Sequence, residues 1–141
     1  MQAISFHPLV AEWFAHRFRE PTLPQVAGWQ HIAARQDTLI SAPTGSGKTL
    51  AAFLWAINRL ITAGTEPRHA APPRDTTSVV YVSPLKALGN DIQKNLQEPL
   101  REIKELFVVR GLAVPEIRVL VRSGDTPACE RQSMLRHPRT S

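Results

Sequence analysis

An eight-residue loop, Ala42–Thr49, constrains the fold of this 141-residue chain more than any other stretch. It follows a short apolar run and opens a strongly periodic one, which predicts a strand, a loop and a helix in succession. Gly45 and Gly47 allow the backbone to turn tightly, so that N–H groups converge where the dipole of the following helix favours an anion. The spacing is that of a phosphate-binding loop, with Ala42 where the strict pattern has glycine.

The side chains of this loop have predicted roles in binding a nucleotide. Lys48 supplies a mobile cation for the β- and γ-phosphates, and the Thr49 hydroxyl is a ligand for Mg²⁺. A Gly-Ser-Gly sequence also forms simple turns, but Gly-Lys-Thr at the start of a helix favours phosphate binding. The residues predicted to contact the nucleotide are Thr44, Gly45, Ser46, Gly47, Lys48, Thr49 and Leu50.

Composition bounds the class of protein. The chain has 43% hydrophobic and 21% charged residues, which is ordinary for one globular domain with a sizeable core. Its formal net charge of +5 suits a polyanionic partner. The single cysteine, Cys129, excludes an intramolecular disulfide, and no apolar run reaches transmembrane length. These features predict a cytoplasmic protein with no membrane partner and no metal site built from side chains alone.

Apolar periodicity and breaker residues predict alternating helices and strands. Helices are expected at Pro8–Phe18, from Leu23 or Pro24 to Arg35, after the phosphate-binding loop, at Leu85–Leu96, from Pro99, and at Thr126–Leu135. Strands are expected at Thr38–Ser41, Ser78–Val82 and Ile117–Val121, with a surface loop at Thr62–Thr77. This order indicates an α/β protein with a parallel sheet and flanking helices.

Two further turns follow predicted strands, at the sheet edge where α/β proteins bind ligands. Ser83–Leu88 follows the second strand, and Arg122–Thr126 follows the third. Each offers backbone N–H groups, hydroxyls and one cation, the groups that hold a nucleic-acid backbone without reading its sequence. Ser, Gly, Asp and Thr also form ordinary turns and caps, so each turn taken singly is open to both interpretations.

Together, the loop Ala42–Thr49, the segment Ser83–Leu88 and the turn Gly124–Thr126 resemble the first RecA-like domain of superfamily 2 helicases. In particular they resemble the large helicase-related (Lhr) group of DEAD/DEAH-box-like helicases, over nearly the whole chain. The resemblance implies a P-loop NTPase fold of the RecA-like type, with ATP and Mg²⁺ as cofactors. It also implies a single-stranded nucleic acid as partner, and between the two kinds we favour DNA over RNA, a choice that the sequence leaves open. The residues predicted to contact that partner are Pro84, Lys86, Arg122, Gly124, Asp125 and Thr126.

The segment Phe18–Trp29 is similar to the adenine-reading segment of that group, which implies that Gln25 contacts the adenine edge. An upstream aromatic residue stacks on the adenine ring in the group, and we predict Phe6 for this role. Gln25 has a second interpretation, because Thr22-x-x-Gln25 is also a capping box in which the glutamine bonds the Thr22 backbone. The two roles can coexist if different side-chain atoms serve each.

The predicted organisation is a helical segment with the adenine-reading residues, 1–36, followed by a partial first RecA-like ATP-binding domain, 37–141. The family's Asp-Glu pair orients the attacking water, and no Asp-Glu-x-His occurs in the sequence. We therefore expect the front part of a longer ATP-dependent helicase, incomplete at the C-terminus, with the rest of that helicase as a partner. Alone, this part is expected to bind ATP without hydrolysing it.

Two other functions remain open at this point. One is a different P-loop nucleotide-binding enzyme, such as a GTPase or a small-molecule kinase. The guanine-specific Asn-Lys-x-Asp is absent from the sequence, and the adenine-reading segment would then be unexplained. The other is a non-catalytic module that binds nucleic acid through its basic charge, which leaves the glycine-rich loop without a purpose.

Overall fold

Three of the helices begin where a proline favours the first turn. The computed structural model describes residues 5–65, 77–82, 93–122 and 124–136. The helical elements are α1 (Pro8–Phe18), α2 (Leu23–Ala33), α3 (Lys48–Thr65), a π-helical segment (Gln93–Gln97), α4 (Glu98–Val109) and α5 (Ala128–Arg136). A proline lies in the first turn of α1, α2 and α4, where its fixed φ suits a helix and its missing N–H needs no partner. The five predicted α-helices at these places are confirmed, to within a few residues at their ends.

His7 caps the start of α1. Its imidazole Nδ1 accepts a hydrogen bond from the Leu9 N–H at 3.3 Å, which satisfies a donor that the first helical turn leaves unpaired. The His7 backbone N–H donates to the side-chain oxygen of Asn58 in α3 at 2.7 Å. The imidazole also stacks on Phe107 of α4, with ring centroids 5.3 Å apart. One residue therefore joins the start of α1 to two other helices.

Helix α3 contributes more residues to the hydrophobic core than any other described element. Its buried residues recur at three- and four-residue spacing, which confirms the predicted apolar stripe. α2 packs against α3, α1 packs against α4, and the π-helical segment packs against α3. Among the described residues, no helix is long and apolar enough to cross a membrane. The most completely buried large side chains are Val10, Leu54, Ile57, Ile61, Ile103 and Phe107.

Polar contacts join α1 to α4 beside this core. Glu102 of α4 accepts a hydrogen bond from the Trp13 indole at 2.6 Å and another from the Arg17 guanidinium at 3.0 Å. A further ion pair, between Arg110 and Glu12 at 2.7 Å, links the end of α4 to α1. Exposed ion pairs contribute at most about 1 kcal/mol each to stability. Burial of the apolar side chains therefore dominates the free energy that holds α1 and α4 together.

The prediction of a surface loop at Thr62–Thr77 is wrong for its first residues. Helix α3 continues through Gly64 and ends at Thr65. Gly64 lies against Pro115, and a Cβ at this position would overlap with the proline ring. The glycine that suggested a helix end instead allows another segment to approach α3 closely.

The helix predicted at Leu85–Leu96 is described only from residue 93 onwards. There the chain forms the π-helical segment Gln93–Gln97, which leads directly into α4. Residues 83–92 lie outside the described residues, and with them two predicted nucleic-acid contacts, Pro84 and Lys86.

The three predicted strands are not formed among the described residues, which contain helices and no strand. A β-strand requires backbone hydrogen bonds to a neighbouring strand, and an apolar run does not by itself supply that neighbour. Several apolar side chains of these segments are largely exposed instead: Leu39 by 95%, Val80 by 75% and Val82 by 83%. The described part of the chain is therefore helical, and the parallel sheet stays a prediction.

The hydrophobic core contains residues from both predicted units. Trp13 and Trp29 lie before the predicted boundary at residue 36, and Leu54 and Phe107 lie after it, yet all four belong to one buried cluster. The division into 1–36 and 37–141 stays a prediction. Within the described residues, helix α2 and the helix that follows the loop Ala42–Thr49 share one core.

We expect the stability of this fold to decrease below neutral pH because of His7. Burial lowers the pKa of His7 from its ordinary value of 6.5. As the pH falls below 6.5, the His7 imidazole becomes protonated in the unfolded chain before it does so in the folded chain. The stabilisation is therefore complete above about pH 6.5 and is lost as the pH falls through the lowered pKa.

Urea unfolding of wild type and of His7→Asn at about pH 7 and about pH 5 measures this effect. Asparagine can accept the same capping bond without titrating, so the unfolding free energy of His7→Asn should depend less on pH. His16→Asn, at an exposed position of the same helix, is the matched control and should keep the wild-type dependence. An equal loss of stability in wild type and His7→Asn would contradict the prediction.

Candidate nucleotide-binding site

Two glycines shape the loop that precedes α3. Gly45 and Gly47 both have a φ of +82°, in the left-handed region that residues with a Cβ rarely adopt. Between them, Ser46 donates its backbone N–H to the Pro43 carbonyl at 3.3 Å. The Gly47 carbonyl then accepts the first backbone bond of α3 at 3.0 Å. The first N–H groups of α3 have no helical partner, so they are available to an anion.

The Lys48 side chain folds back onto its own loop. Its ammonium donates to the carbonyl oxygen of Ala42 and to that of Pro43, the latter at 2.7 Å. Both acceptors are neutral, and no carboxylate among the described residues forms an ion pair with Lys48. An anionic ligand would therefore meet a cation whose charge is not neutralised.

The first turn of α2 lies directly against this loop. The Thr22 hydroxyl donates to the Ser46 carbonyl at 2.8 Å, and Gln25 Nε2 donates to the Gly47 carbonyl at 3.3 Å. A Cβ on Gly47 would overlap with the Gln25 amide, so glycine is needed here for the close approach as well as for φ. Two consecutive carbonyls of the loop are thus bonded by one helical turn, which fixes the orientation of both peptide groups.

Gln25 forms the capping box that the sequence predicts. Its Oε1 accepts a hydrogen bond from the Thr22 backbone N–H at 2.9 Å, and the side chain is buried. A primary amide has two N–H donors and two acceptor lone pairs. The bonds to Thr22 and Gly47 therefore leave one donor and one acceptor, so capping does not prevent the predicted adenine contact. That contact stays a prediction.

Phe6, predicted to stack on adenine, belongs to an aromatic cluster near the loop. Its ring meets Trp29 and Trp55 edge-on, with centroids 4.9 Å and 5.5 Å apart. Phe6 is half-buried, so part of the side chain is accessible to solvent. Its stacking on a base stays a prediction.

Two residues that hold α2 in place were predicted only for other roles. Thr22 is predicted as a cap, although its hydroxyl bonds the loop. Trp29 enters the sequence analysis only as the end of the segment Phe18–Trp29, although its indole N–H donates to the Ala51 carbonyl in α3 at 2.8 Å. A buried tryptophan N–H needs an acceptor, and this requirement is the only sign in the sequence that Trp29 has a polar partner.

The other residues predicted to contact a nucleotide differ in exposure. Thr44 is exposed, Thr49 is half-buried, and Leu50 is buried in the core, so only the backbone of Leu50 is suited to contact a phosphate. The Ser46 hydroxyl is buried and has no hydrogen-bond partner among the described residues. Together with the two positive-φ glycines and the Lys48 cation, this hydroxyl fits a loop that is completed by phosphate oxygens.

The turn predicted to contact nucleic acid lies at the start of α5. Arg122, Gly124 and Asp125 are exposed, whereas Thr126 is buried. The Arg131 guanidinium donates to the Thr126 carbonyl at 2.6 Å and to the Gly124 carbonyl at 3.2 Å. This turn is therefore held by α5, whereas the phosphate-binding loop is held by α2.

One match to a protein-family model covers α2, the loop Ala42–Thr49, α3 and the turn Gly124–Thr126. A sequence model of the DEAD/DEAH box helicase family matches residues 22–130. The chain belongs to the DEAD/DEAH box helicase family. The matched range begins at Thr22, the cap of α2, and includes both the loop Ala42–Thr49 and the turn Gly124–Thr126.

Within the DEAD/DEAH box helicases, this chain is similar to proteins of the Lhr group. It is 48% identical over 134 residues to the Lhr helicase/uracil glycosylase of Escherichia coli, which covers 94% of this chain and 9% of that protein. It is 50% identical over 129 residues to the ATP-dependent helicase Lhr-Core protein 2 of Thermococcus barophilus, covering 92% and 14% respectively. The resemblance to the Lhr group predicted from the sequence is confirmed.

A solved DEAD/DEAH box relative has the same fold over this stretch. It is the Mycobacterium smegmatis helicase Lhr bound to ssDNA and AMP-PNP, with a TM-score of 0.79 and 47% sequence identity. The match covers 94% of this chain and 16% of that chain. The present chain thus spans 9–16% of the length of the three relatives named here.

We expect Gly47→Ala to destabilise the fold more than Gly45→Ala does. The two glycines share the same φ, so either substitution introduces backbone strain of about 1–2 kcal/mol. A Cβ at Gly45 has no atom within 4 Å, whereas a Cβ at Gly47 would overlap with Gln25. Overpacking adds about 1–3 kcal/mol, so urea unfolding should show the larger loss for Gly47→Ala.

Combining Gly47→Ala with Gln25→Ala tests the cause of that difference. If the overlap with the amide is responsible, the double variant should lose less stability than the two single variants added together. The same combination with Gly45→Ala is the matched control and should be additive. Equal losses for the two glycine variants, or additivity in both combinations, would contradict the explanation.

Proposed function

We propose that this chain is the ATP-binding part of the first RecA-like domain of an Lhr-type, ATP-dependent nucleic-acid helicase. The observation that carries the proposal is the loop itself. It combines Gly45 and Gly47 at positive φ, a buried Ser46 hydroxyl without a partner, and the Lys48 cation at the start of α3. These groups suit a chain of phosphates. The AMP-PNP bound to the M. smegmatis relative supports ATP as the nucleotide.

In this proposal the phosphates replace the carbonyls that hold Lys48. An ammonium–phosphate hydrogen bond joins two opposite charges and is stronger than a bond from the same ammonium to a neutral carbonyl, so the exchange is favourable. The Thr49 hydroxyl would ligate a Mg²⁺ that arrives with the nucleotide; such an ion neutralises phosphate charge. Among the described residues, no group of three His, Cys, Asp or Glu could hold a metal ion.

The base would be recognised by the residues that already touch the loop. Gln25 keeps one donor and one acceptor beyond its bonds to Thr22 and Gly47, a combination suited to the N6 amino group and N7 of adenine. Phe6 is half-buried close to the same helix and offers part of its ring for stacking. ATP should therefore bind more tightly than GTP, whose base presents a carbonyl oxygen where adenine presents its amino group.

The exposure of these apolar segments supports the proposal that they belong to a parallel sheet, which other parts of a longer helicase would complete. Segments 38–41, 78–82 and 117–121 would pair as parallel strands of the RecA-like fold, with the described helices on their faces. Leu39, Val80 and Val82 are largely exposed in the described structure. Burying such side chains contributes about 1.5–3 kcal/mol each, which favours pairing and coverage of these segments.

We expect Lys48→Ala to weaken ATP binding by roughly ten-fold or more, because one charge-assisted contact is worth about 1.5–3 kcal/mol. Isothermal calorimetry on the purified chain measures the affinity. Lys104→Ala is the matched control, because Lys104 also donates to a neutral carbonyl, that of Ile117 at 3.1 Å, but lies on α4. Equal ATP affinity in wild type and Lys48→Ala would refute the assignment of the loop.

We expect the chain alone to bind ATP without hydrolysing it. Phosphoryl transfer depends on positioning and charge stabilisation, which this family obtains from an Asp-Glu pair and from arginines of a second RecA-like domain. The sequence contains no Asp-Glu-x-His. Steady-state phosphate release, with and without single-stranded DNA, is the measurement. Hydrolysis by wild type that disappears in Lys48→Ala would show the expectation to be wrong.

The turn Gly124–Thr126, together with Arg122, Pro84 and Lys86, would contact the backbone of single-stranded nucleic acid. The ssDNA bound to the M. smegmatis relative supports DNA as the partner. A formal net charge of +5 favours such a polyanion. The turn offers backbone donors and small polar side chains rather than base-reading ones, which suits movement along any sequence.

Lys86→Ala should weaken single-stranded DNA binding about equally across sequences. If Lys86 contacts one phosphate, its removal reduces the slope of log affinity against log salt by roughly 0.7. A salt titration with a labelled oligonucleotide measures the slope, Lys104→Ala serves as the control, and ATP affinity without DNA should not change. An unchanged affinity and slope in Lys86→Ala would exclude this residue from the DNA-binding surface.

A further inference from the structure

Arg131 reaches back from α5 to the turn that precedes this helix. Its backbone N–H donates to the Pro127 carbonyl at 3.0 Å, so the residue is anchored in the first turns of α5. Its guanidinium Nε donates to the Thr126 carbonyl at 2.6 Å, and Nη2 donates to the Gly124 carbonyl at 3.2 Å. One planar group therefore binds two carbonyls that are two residues apart.

The turn needs such a restraint because packing does not supply one at Gly124. Gly124 is exposed, and a Cβ placed on it would have no atom within 4 Å. A glycine in open space retains more backbone freedom than any other residue. The bond from Arg131 to the Gly124 carbonyl limits that freedom, and the bond to Thr126 fixes the other end of the turn.

The chemistry of arginine suits this position. Guanidinium carries five N–H donors in a fixed planar arrangement and stays charged at every physiological pH. Because Arg131 binds the two carbonyls, these partly negative oxygens face α5. A phosphate approaching the turn from the other side is then less strongly repelled.

We propose that Arg131 is a positioning residue for nucleic-acid binding, which holds the turn Gly124–Thr126 in the shape that accepts a phosphate of single-stranded DNA. It acts through the turn and does not contact the phosphate. This inference rests on the proposed function of the turn. It adds a residue outside the segments that resemble helicase motifs, and it gives that residue a role distinct from a direct phosphate contact.

The test is a salt titration of single-stranded DNA binding by the purified chain, with a labelled oligothymidine as probe. In Arg131→Gln the affinity should fall about five- to ten-fold at every salt concentration. The slope against salt should stay unchanged, because no phosphate contact is lost. A slope reduced by roughly 0.7 would instead identify Arg131 as a direct phosphate contact and overturn the positioning role. Arg131→Lys should not restore affinity, because an ammonium lacks the planar arrangement of donors.

Two further measurements separate positioning from general stability. ATP affinity should be the same in Arg131→Gln and wild type, because α2 and not α5 holds the phosphate-binding loop. A parallel loss of ATP and DNA binding would show that Arg131 only stabilises the fold. Arg101→Gln is the matched control: Arg101 is an exposed arginine on α4 that bonds Glu105 at 2.7 Å, and its removal should leave DNA binding unchanged.

Thr126→Val distinguishes failure of this inference from failure of the proposed function. Valine keeps the shape of the buried threonine and removes only its hydroxyl. If Thr126→Val weakens DNA binding and Arg131→Gln does not, the inference about Arg131 is wrong while the turn remains a DNA contact. If both variants bind DNA like wild type, neither the Thr126 hydroxyl nor the shape that Arg131 gives to the turn contributes to binding, and the proposed function loses its support from this turn.

Discussion

The contact between the first turn of α2 and the phosphate-binding loop is the constraint on which the rest of the described structure depends. Thr22 and Gln25 bond two successive carbonyls of the loop, and Gly47 is needed to let them approach. Further along the same helix, Trp29 bonds the Ala51 carbonyl in α3. Helix α2 is therefore fastened both to the loop and to the helix that follows it. A displacement of α2 cannot leave the loop unchanged.

Contacts of His7 also place the segment before α1 beside α2. His7 is bonded to Asn58 of α3 through its backbone and stacks on Phe107 of α4 through its ring. These contacts fix the place of the preceding residue, Phe6, beside Trp29 and Trp55. Phe6, which is far from the loop in the sequence, is thereby held against α2, the helix that carries Gln25. Helix packing and these hydrogen bonds thus connect a candidate base contact to the candidate phosphate-binding loop.

Helices were predictable from this sequence because their signals are local. Prolines in the first turns and a 3.6-residue apolar stripe lie within the elements that they specify. Strands were not predictable in this way, since segments such as 78–82 need a neighbouring strand to pair with, and no local pattern reveals that neighbour. Gly64 suggested a helix end but allows a close contact with Pro115, fifty-one residues further on. The site shows the same contrast: the spacing of Gly45, Gly47 and Lys48 identified the loop, whereas the bond from Thr22 to Ser46 depends on tertiary structure.

Lys48 donates to two carbonyls of its own loop, and this has a consequence for the nucleotide binding that we propose. In the absence of phosphate, the ammonium occupies acceptors at the beginning of the loop and so resists its unfolding. The loop is preorganised, which lowers the conformational entropy lost on binding. The affinity for a nucleotide would then depend on how much stronger the bonds from Lys48 to the phosphates are than its bonds to the two loop carbonyls. Dissociation of the proposed nucleotide would be eased for the same reason, because Lys48 would return to the carbonyls of its own loop.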